Sequence, residues 1–372
     1  MKSVFIAPRK YVQGRGVLNE LGDYLKPLGA KALVLWDAHV KGIVGQAVAA
    51  SLDAAGIEMV DVNFEGEATS EERKRVGEIA RREAVAISIG VGGGKALDVA
   101  KAVAIDLNLK MVTCPTIASN DSPTSAASVW YDAEHNFIGF DCWPFNPDLV
   151  LVDTQVVVGG PVRAFVAGMG DALSTWLEAE AAHKSRAANI AGGQPTMAAM
   201  ALARLAFDTL LQYGPDAKRD VELGLVTPAV EKVVEANVLL SGLGFESGGL
   251  ATAHMIGNLL SNEPECREAG MMHGEKVAFG VVAQLCLDDD FDVDDKSAIV
   301  DFLIEIGLPV SFADLNLEGI ARERLEALAA ACAGEGSLCH NHPFKVTAAD
   351  VLDAMISADA LGQHRKAILE EV

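Results

Sequence analysis

The sequence predicts an α/β N-terminal domain with a parallel sheet, followed by an all-α C-terminal domain. Roughly the first 155 residues alternate short apolar runs with helical patterns, whereas the chain after Pro161 is helical by apolar spacing and alanine content. A length of 372 residues also favours two domains over one. We therefore expect domains at residues 1–160 and 161–372, with the boundary near VVVGGPVR.

The strands of the N-terminal domain are predicted from nearly continuous apolar runs. Such runs are typical of strands that are buried on both faces of a parallel sheet. They lie at residues 32–37, 85–93, 110–116 and 148–154. Helical patterns separate the first three runs, at residues 44–56, 70–83 and 94–107. A hairpin is predicted at residues 125–140, before the last strand.

The C-terminal domain is predicted from four stretches with helical apolar spacing, which end in Gly or Gly-Leu-Pro. They lie at residues 197–214, 229–244, 297–309 and 321–334. No internal repeat or low-complexity linker separates the two halves. We expect the domains to pack tightly, with a ligand site in the cleft between them.

Charge and hydropathy limit the classes of partner. The net charge of −22 and the absence of a basic stripe argue against nucleic acid. No apolar run reaches the roughly 18 residues of a membrane span, and the opening residues lack a signal-peptide pattern. The six cysteines are scattered without a CxxC pair, so we expect them to be reduced. The predicted location is the cytoplasm.

The densest acidic run, DDDFDVDD at residues 288–295, suggests calcium at first sight. An EF-hand loop that begins at Asp288 needs Gly at its sixth position and Glu at its twelfth. Val293 and Ile299 occupy those positions. The run is therefore predicted to be a solvated loop between helices.

The glycine-rich segment VAISIGVGGGKALDVAKA has the order strand, glycine loop, helix. Its glycines, Gly92, Gly93 and Gly94, allow a backbone to approach a bulky anion, and the helix that follows offers free N–H groups and a positive dipole end. A pyrophosphate fits such a loop. The segment is neither a GxGxxG fingerprint nor a P-loop, and the alternative is an ordinary tight turn.

Two further features follow predicted strands. Asp37, at the carboxyl end of the first apolar run, is placed to bind ribose hydroxyls and to repel a 2′-phosphate, which favours NAD over NADP. The alternative role for Asp37 is a turn or cap residue. The segment CPTIASNDSPTSAAS leaves the third run as a loop rich in hydroxyl, amide and carboxyl groups. Open parallel sheets bind ligands at this edge, although turn chemistry around Pro123 also explains the composition.

Three residues point to a metal site. His254 and His273 lie in otherwise apolar or small stretches, where a lone histidine is usually a core residue with a satisfied hydrogen bond. Asp171 lies in an apolar helical segment, where a buried carboxylate requires a cation. Together they form a two-histidine, one-carboxylate set that suits catalytic zinc or non-haem iron.

A rival ligand set lies near the C-terminus. Cys332, Cys339, His340 and His342 are gathered in CAGEGSLCHNHPF, but their spacing matches no standard zinc site. We therefore predict that this segment is a loop of polar residues without a metal.

Seven motifs, taken in order along nearly the whole chain, carry a family resemblance. They are GGGKALDVAKA, PTIASNDSPTSA, NPDLVLVDT, GMGDALSTWLEA, GFESGGLATAH, HGEKVAFG and CHNHPFKVTAADV. The chain resembles the glycerol dehydrogenases of the metal-dependent (iron-type) polyol and alcohol dehydrogenase superfamily. This resemblance implies the dehydroquinate synthase-like architecture, with a Rossmann-like NAD domain, a helical metal-binding and substrate domain, and a homo-oligomer that is often an octamer.

The resemblance also assigns residues position by position. It places the metal ligands at Asp171, His254 and His273, and the catalytic aspartate that contacts the substrate at Asp121. The positions that it assigns to cofactor binding are Asp37, Gly93, Gly94, Lys95, Asp98, Thr116, Ser119, Ser125 and Tyr131.

The chain departs from the family pattern at HMIGN, residues 254–258. The iron-dependent branch has a third histidine ligand a few residues after the position of His254, and its absence here favours zinc over ferrous iron. Glycerol dehydrogenases often carry His where this chain has Gly257, so we interpret the glycine as replacing a pocket imidazole. The segment FIGFDCWPFNP, which contains Trp143, is also unusually aromatic.

The resemblance predicts reversible, NAD- and metal-dependent oxidation of glycerol, or of a related small vicinal diol, to the hydroxyketone. The departures from the family pattern leave a 2-hydroxy acid as an alternative substrate. A dehydroquinate-synthase-like lyase is disfavoured, because its substrate requires several basic pocket residues and the motif loops here supply little beyond Lys95. A non-catalytic NAD-binding protein remains an alternative from another class.

Overall fold

The computed structural model describes residues 2–371, and the chain folds into two compact units. The sheet unit comprises Ile6–Phe165 and Arg219–Gly242. The helical unit comprises Val166–Lys218, the chain from Leu243 onward, and the N-terminal residues up to Phe5. The sheet unit is thus discontinuous in sequence, which differs from the two uninterrupted segments expected from the sequence.

The sheet unit contains eight strands among the described residues. They are β1 (Tyr11–Gly14), β2 (Lys31–Trp36), β3 (Glu58–Asn63), β4 (Ile87–Gly92), β5 (Lys110–Pro115), β6 (Ala127–Tyr131), β7 (Phe137–Cys142) and β8 (Leu149–Asp153). Six of them form one parallel sheet in the order β1-β8-β5-β4-β2-β3. Strands β6 and β7 form a separate antiparallel pair, which is the predicted hairpin.

Helices cover both faces of the parallel sheet, as the continuous apolar strands require. The helices around it are α1 (Leu21–Leu25), α2 (Ala38–Ala54), α3 (Ser70–Arg82), α4 (Gly94–Leu107) and α5 (Thr154–Val158), with a 3-10 turn at Val17–Glu20. One core cluster packs Val44 and Leu52 of α2 against Trp36, and another packs Val76 of α3 with Val103 of α4. The predicted α/β arrangement is therefore present.

The helical unit is built from helices and short turns. Its helices are α6 (Val162–Ser185), α7 (Met197–Glu222), α9 (Ser241–Gly248), α10 (Thr252–Leu260), α11 (Pro264–Glu268), α12 (His273–Leu287), α13 (Val293–Ile306), α14 (Arg322–Cys332) and α15 (Ala348–Glu370). Some of these helices begin or end in the sheet unit. Short 3-10 turns lie at Ala313–Leu315 and Leu338–His340.

Residues 219–242 belong to the sheet unit because their polar groups bond to it. They contain α8 (Pro228–Glu235) and a π-helical turn at Ala236–Leu240. The side chain of Gln13 on β1 donates to the backbone carbonyl of Glu231 at 2.8 Å and to its carboxylate at 2.7 Å. Thr154 donates to the same carboxylate at 2.8 Å. This return of the chain depends on tertiary contacts that local sequence patterns do not reveal.

No helix within residues 2–371 is both long enough and apolar enough to span a membrane.

Candidate metal centre and cofactor loops

The predicted metal ligands lie on three helices of the helical unit. Asp171 is in the middle of α6, His254 is in the first turn of α10, and His273 begins α12. Two glycines explain how α6 and α12 come close together. A Cβ atom on Gly170 would lie 2.4 Å from the carbonyl oxygen of Gly274, and one on Gly274 would lie 1.8 Å from that of Ala167. Only glycine therefore permits this approach, which brings the carboxylate of Asp171 to the imidazole of His273.

The three side chains converge on one point. The Nε2 atoms of His254 and His273 each lie 3.3 Å from Oδ1 of Asp171. One ligand atom from each of the three residues lies within 4.8 Å of the others. Asp171 is fully buried, whereas the side chain of His273 is 30% exposed, so one side of the cluster faces solvent.

These distances fit a divalent metal. Two ligands held about 2.1 Å from a tetrahedral ion lie about 3.4 Å apart, close to the observed nitrogen-to-oxygen separations. Two imidazoles with one carboxylate suit zinc or non-haem iron. The chemistry and the spacing of the donor set therefore agree, and the ligand role remains a prediction.

Electrostatics in the cluster favour positive charge. Burial raises the pKa of the Asp171 carboxyl, but His273 and His254 outweigh burial and hold that pKa below its usual range. Burial lowers the pKa of His254, but Glu178 and Asp171 outweigh it and raise the pKa well above its usual value. The buried acids thus require either protonated imidazoles or a bound cation beside them.

Glu178 supports the cluster from behind His254, and it lies within the motif GMGDALSTWLEA, although the resemblance assigns it no role. Its side chain is fully buried, and its carboxylate contacts Nδ1 of His254. The same carboxylate accepts the backbone N–H groups of Ala251 at 2.8 Å and His254 at 3.0 Å. This contact turns Nε2 of His254 toward Asp171, as carboxylates commonly do for metal-binding histidines. The available signal was its position seven residues after Asp171, on the same face of α6.

Gly257 faces α12 and not an open pocket. A Cβ atom at this position would lie 2.8 Å from Cγ2 of Val277 and 3.1 Å from its backbone nitrogen. Close to it, a Cβ on Gly280 would lie 2.2 Å from the carbonyl oxygen of Ala253. The two glycines allow α10 and α12 to pack closely. The interpretation of Gly257 as a replaced pocket imidazole is therefore wrong for this structure.

Two other segments contain possible metal ligands, the Cys/His segment CAGEGSLCHNHPF and the acidic run that begins at Asp288. Cys332, Cys339, His340 and His342 form no group of three or more mutually close ligand atoms among the described residues, although Sγ of Cys339 lies 4.0 Å from Nδ1 of His340. The imidazole of His342 instead bonds to the hydroxyl of Thr252 at 2.9 Å. Asp288–Asp290 do lie close together between α12 and α13, but Asp289 and Asp290 are exposed and Lys184 pairs with Asp290 at 2.7 Å.

Three predicted cofactor positions follow neighbouring strands of the sheet unit. Asp37 follows β2, Gly93 follows β4, and Thr116 follows β5. Because these strands are parallel neighbours, the three positions lie at the same edge of the sheet. Asp37 also caps α2, since its carboxylate accepts the N–H of Val40 at 2.7 Å.

The glycine loop is closely packed. Gly92 has a φ of +153°, a conformation that favours glycine, and Gly93 caps α4, which begins at Gly94. A Cβ atom on Gly94 would lie 2.9 Å from the side-chain nitrogen of Asn120. The ammonium of Lys95 pairs with Glu67 at 2.6 Å and lies 4.7 Å from the centre of the Tyr131 ring. Lys95 is thus engaged by protein groups in this structure.

Residues 116–126 form an irregular segment between β5 and β6, which we call the polar loop. It contains Ser119 and Ser125, both buried, and Asp121, which is half-buried. The loop is fastened to the π-helical turn, because Asn237 donates to the carbonyl of Ala118 at 3.0 Å and Thr124 donates to that of Val238 at 2.7 Å. It therefore has a defined conformation despite its lack of regular structure.

Asp98 points into the polar loop from α4. Only 4% of the residue is exposed, and its carboxylate accepts the hydroxyl of Ser122 at 2.6 Å and the N–H of Val129 at 3.0 Å. Tyr131 ends β6, and burial raises the pKa of its phenol, with Asp98 and Glu67 adding to the rise. Asp98 in this arrangement braces the loop and the hairpin.

Comparison with known proteins gives the family. A sequence profile described as iron-containing alcohol dehydrogenase matches residues 8–154. A glycerol dehydrogenase from Pseudomonas putida is 44% identical over 358 residues, which cover 96% of this chain and 97% of that protein. The chain belongs to the iron-containing alcohol dehydrogenase family. The resemblance predicted from the sequence motifs is thereby confirmed.

Other family members agree in fold but differ in name. The crystal structure of glycerol dehydrogenase from Schizosaccharomyces pombe superposes with a TM-score of 0.95 at 36% identity, covering 100% of this chain and 94% of that one. A glycolaldehyde reductase from Halobacterium salinarum is 42% identical over 364 residues, 98% of this chain and 99% of that protein. The predicted fold class is confirmed, and this chain is an oxidoreductase.

Proposed function

We propose that this chain catalyses the reversible, NAD-dependent oxidation of glycerol, or of a related small vicinal diol, to the hydroxyketone. The observation that carries the proposal is the convergence of Asp171, His254 and His273 within a chain of this family. These three residues would hold a divalent metal, and we favour zinc because HMIGN offers no further histidine after His254. Bound there, the metal acts as a Lewis acid that lowers the pKa of a coordinated hydroxyl.

The protein groups around the substrate would orient it and manage its protons. Asp121 would bind a second substrate hydroxyl or assist proton transfer, so an alcohol that lacks this hydroxyl should bind less well. Glu178 would hold His254 in position through its contact with Nδ1. We assign the metal-binding role to the helical unit, and the NAD-binding role together with Asp121 to the sheet unit.

The cofactor would bind along the carboxyl edge of the parallel sheet. The N–H groups at the start of α4, together with Gly93 and Gly94, would receive the pyrophosphate. Asp37 would bind the ribose hydroxyls and favour NAD over NADP. The other proposed cofactor contacts are Lys95, Asp98, Thr116, Ser119, Ser125 and Tyr131. NAD supplies the hydride acceptor.

Three broader features belong to the same proposal. The partner is a small polyol or hydroxy acid, with neither nucleic acid nor membrane involved. The family resemblance supports a homo-oligomer, with an octamer as the specific expectation. The proposed location is the cytoplasm.

The test is metal reconstitution with a substrate panel. The protein is stripped with a chelator, zinc or ferrous iron is restored separately, and NAD reduction is followed with glycerol, 1,2-propanediol, 2,3-butanediol and small 2-hydroxy acids. Metal-dependent turnover that is fastest with a diol supports the proposal. Faster turnover with 2-hydroxy acids would keep the dehydrogenase activity but change the proposed substrate from a diol to a hydroxy acid. Absence of turnover with either metal, despite measurable NAD binding, rejects the dehydrogenase proposal and favours a non-catalytic or lyase role.

A second candidate function is the reduction of a short hydroxyaldehyde. It is favoured by the glycolaldehyde reductase relative, whose identity of 42% is similar to that of the glycerol dehydrogenases. The same reconstituted protein is assayed with NADH and glycolaldehyde. A kcat/KM for glycolaldehyde that exceeds the value for dihydroxyacetone would favour this second function.

A further inference from the structure

Lys101 is a fully buried lysine in the middle of α4, with 0% of the residue exposed. A buried ammonium is costly unless each of its three donors meets an acceptor. Here the ammonium donates to the backbone carbonyls of Ser122 at 2.7 Å and Ser125 at 3.3 Å, and also to that of Ala127. It pairs with the carboxylate of Asp98 at 2.9 Å.

The carbonyls that face Lys101 all come from the polar loop and the first residue after it. The loop therefore curves around one positive charge. Without that charge, three carbonyl oxygens and the carboxylate of Asp98 would face one another in a dry interior, where repulsion between them is poorly screened. The ammonium of Lys101 thus links Ser122, Ser125 and Ala127 to α4.

The polar loop is also held by uncharged contacts with the π-helical turn. Asn237 and Val238 of the π-helical turn bond to Ala118 and Thr124. A Cβ atom on Gly242 would lie 1.9 Å from the hydroxyl oxygen of Thr124, so the backbone there touches the loop directly. Asp121 lies in sequence between the stretch held by Asn237 and the stretch held by Lys101.

We propose that Lys101 is a positioning residue, which holds the polar loop in the conformation that presents Asp121 to the substrate and Ser119 and Ser125 to NAD. The inference rests on the proposed function for what the loop binds. The ordering of the loop by Lys101 is a separate claim, which can be measured without substrate.

The experiment replaces Lys101 by methionine, which has a similar length but no charge. Backbone amide exchange of residues 116–127 should become roughly tenfold faster or more, because the loop loses its central partner. With zinc restored, the KM for 1,2-propanediol should rise about tenfold, while metal bound per chain stays unchanged. Loss of stability alone does not raise the KM of the folded fraction.

Ser88→Ala is the matched control. Ser88 is fully buried and donates to the carbonyl of Ala100 on the same helix as Lys101 at 2.8 Å, so its loss weakens the packing of α4 without touching the polar loop. Exchange in the loop and the KM should keep their wild-type values in this variant. Lys101→Gln, which keeps two donors without the charge, should give intermediate exchange.

Wild-type loop exchange and wild-type KM in folded Lys101→Met would overturn the inference. If both Lys101 variants fail to fold while Ser88→Ala folds, Lys101 serves global stability and the positioning role is rejected. If the wild-type protein oxidises no diol, amide exchange alone decides whether Lys101 orders the loop. Failure of the proposed function and failure of this inference are therefore distinguishable.

Discussion

The metal centre and the polar loop are built in opposite ways. The metal centre consists of three side chains from three helices, and each supplies one of the converging atoms. The polar loop is one continuous segment that several hydrogen bonds from side chains to backbone carbonyls hold in place. Removal of one ligand takes away a third of the metal donors, whereas removal of a single loop contact such as that of Asn237 leaves the others, including those of Lys101. Substitutions should therefore act almost all-or-none at the metal centre and in a graded way around the cofactor loops.

His254→Ala tests the expected all-or-none response of the metal centre. Among these substitutions it should have the largest effect on turnover. Turnover should fall by roughly a thousandfold or more, because the Lewis acid is lost with its ligand. Metal content should fall with it, whereas NAD should still bind, since the glycine loop belongs to the sheet unit. His183→Ala, at an exposed histidine of α6, is the matched control. Substantial turnover in His254→Ala would reject the ligand assignment.

Glu178→Gln tests whether the contact between Glu178 and Nδ1 of His254 contributes to metal binding. The change keeps the size of the side chain but removes the negative charge that holds Nδ1 of His254. Zinc affinity should weaken about 10- to 100-fold, as measured by competition with a chelator, and saturating zinc should restore most of the turnover. Glu180→Gln, at a partly exposed glutamate on the same helix, should bind zinc normally. Equal affinity in both variants would make Glu178 a packing residue only.

Asp37→Asn tests the expected graded response of the cofactor-binding residues. Asparagine still caps α2, so stability should hold, but the charge that repels a 2′-phosphate is gone. The ratio of kcat/KM with NAD to kcat/KM with NADP should fall roughly tenfold. Asp292→Asn makes the same change at the cap of α13 and should leave the ratio alone. A cofactor preference that does not respond to Asp37→Asn would leave this residue as a helix cap.

Gly257→Ala tests how rigid the helices behind the metal centre are, and its effect should be the smallest. The added methyl would meet Val277, so the free energy of unfolding should fall by about 1–3 kcal/mol. Gly77→Ala, in α3 with no neighbouring atom within 4 Å of the added methyl, should instead gain about 0.5–1 kcal/mol. Urea unfolding measures both. A neutral Gly257→Ala would show that α10 and α12 can move apart easily.

The elements predicted best are those with a clear local pattern of apolar residues. Strands β2, β4, β5 and β8 follow continuous apolar runs, and α4 coincides with the predicted helix at residues 94–107. Strands β1 and β3 are not marked by continuous apolar runs, because they form the two edges of the sheet. Most of their side chains are exposed or only partly buried, so residues such as Glu58 and Asp61 can interrupt the apolar run.

Buried polar residues are harder to predict. Asp171, His254 and His273 stand out because histidine and aspartate are unusual in apolar stretches. Glu178 and Lys101 also lie in mostly buried helices, but glutamate and lysine side chains normally face water, so their burial depends on partners far away in the sequence. Both residues lie within motifs that carry the family resemblance, GMGDALSTWLEA and GGGKALDVAKA, but the motifs do not show that either side chain is buried.

The discontinuous sheet unit has a consequence for synthesis of the chain. The segment up to Phe165 leaves the ribosome first, but Thr124 and Ala118 meet their partners only when Asn237 and Val238 emerge. Domains usually fold as units during translation, so we expect this one to complete its fold only after the chain has been made through Gly242. A nascent chain that stalls between these points would therefore lack the partners of Ala118 and Thr124.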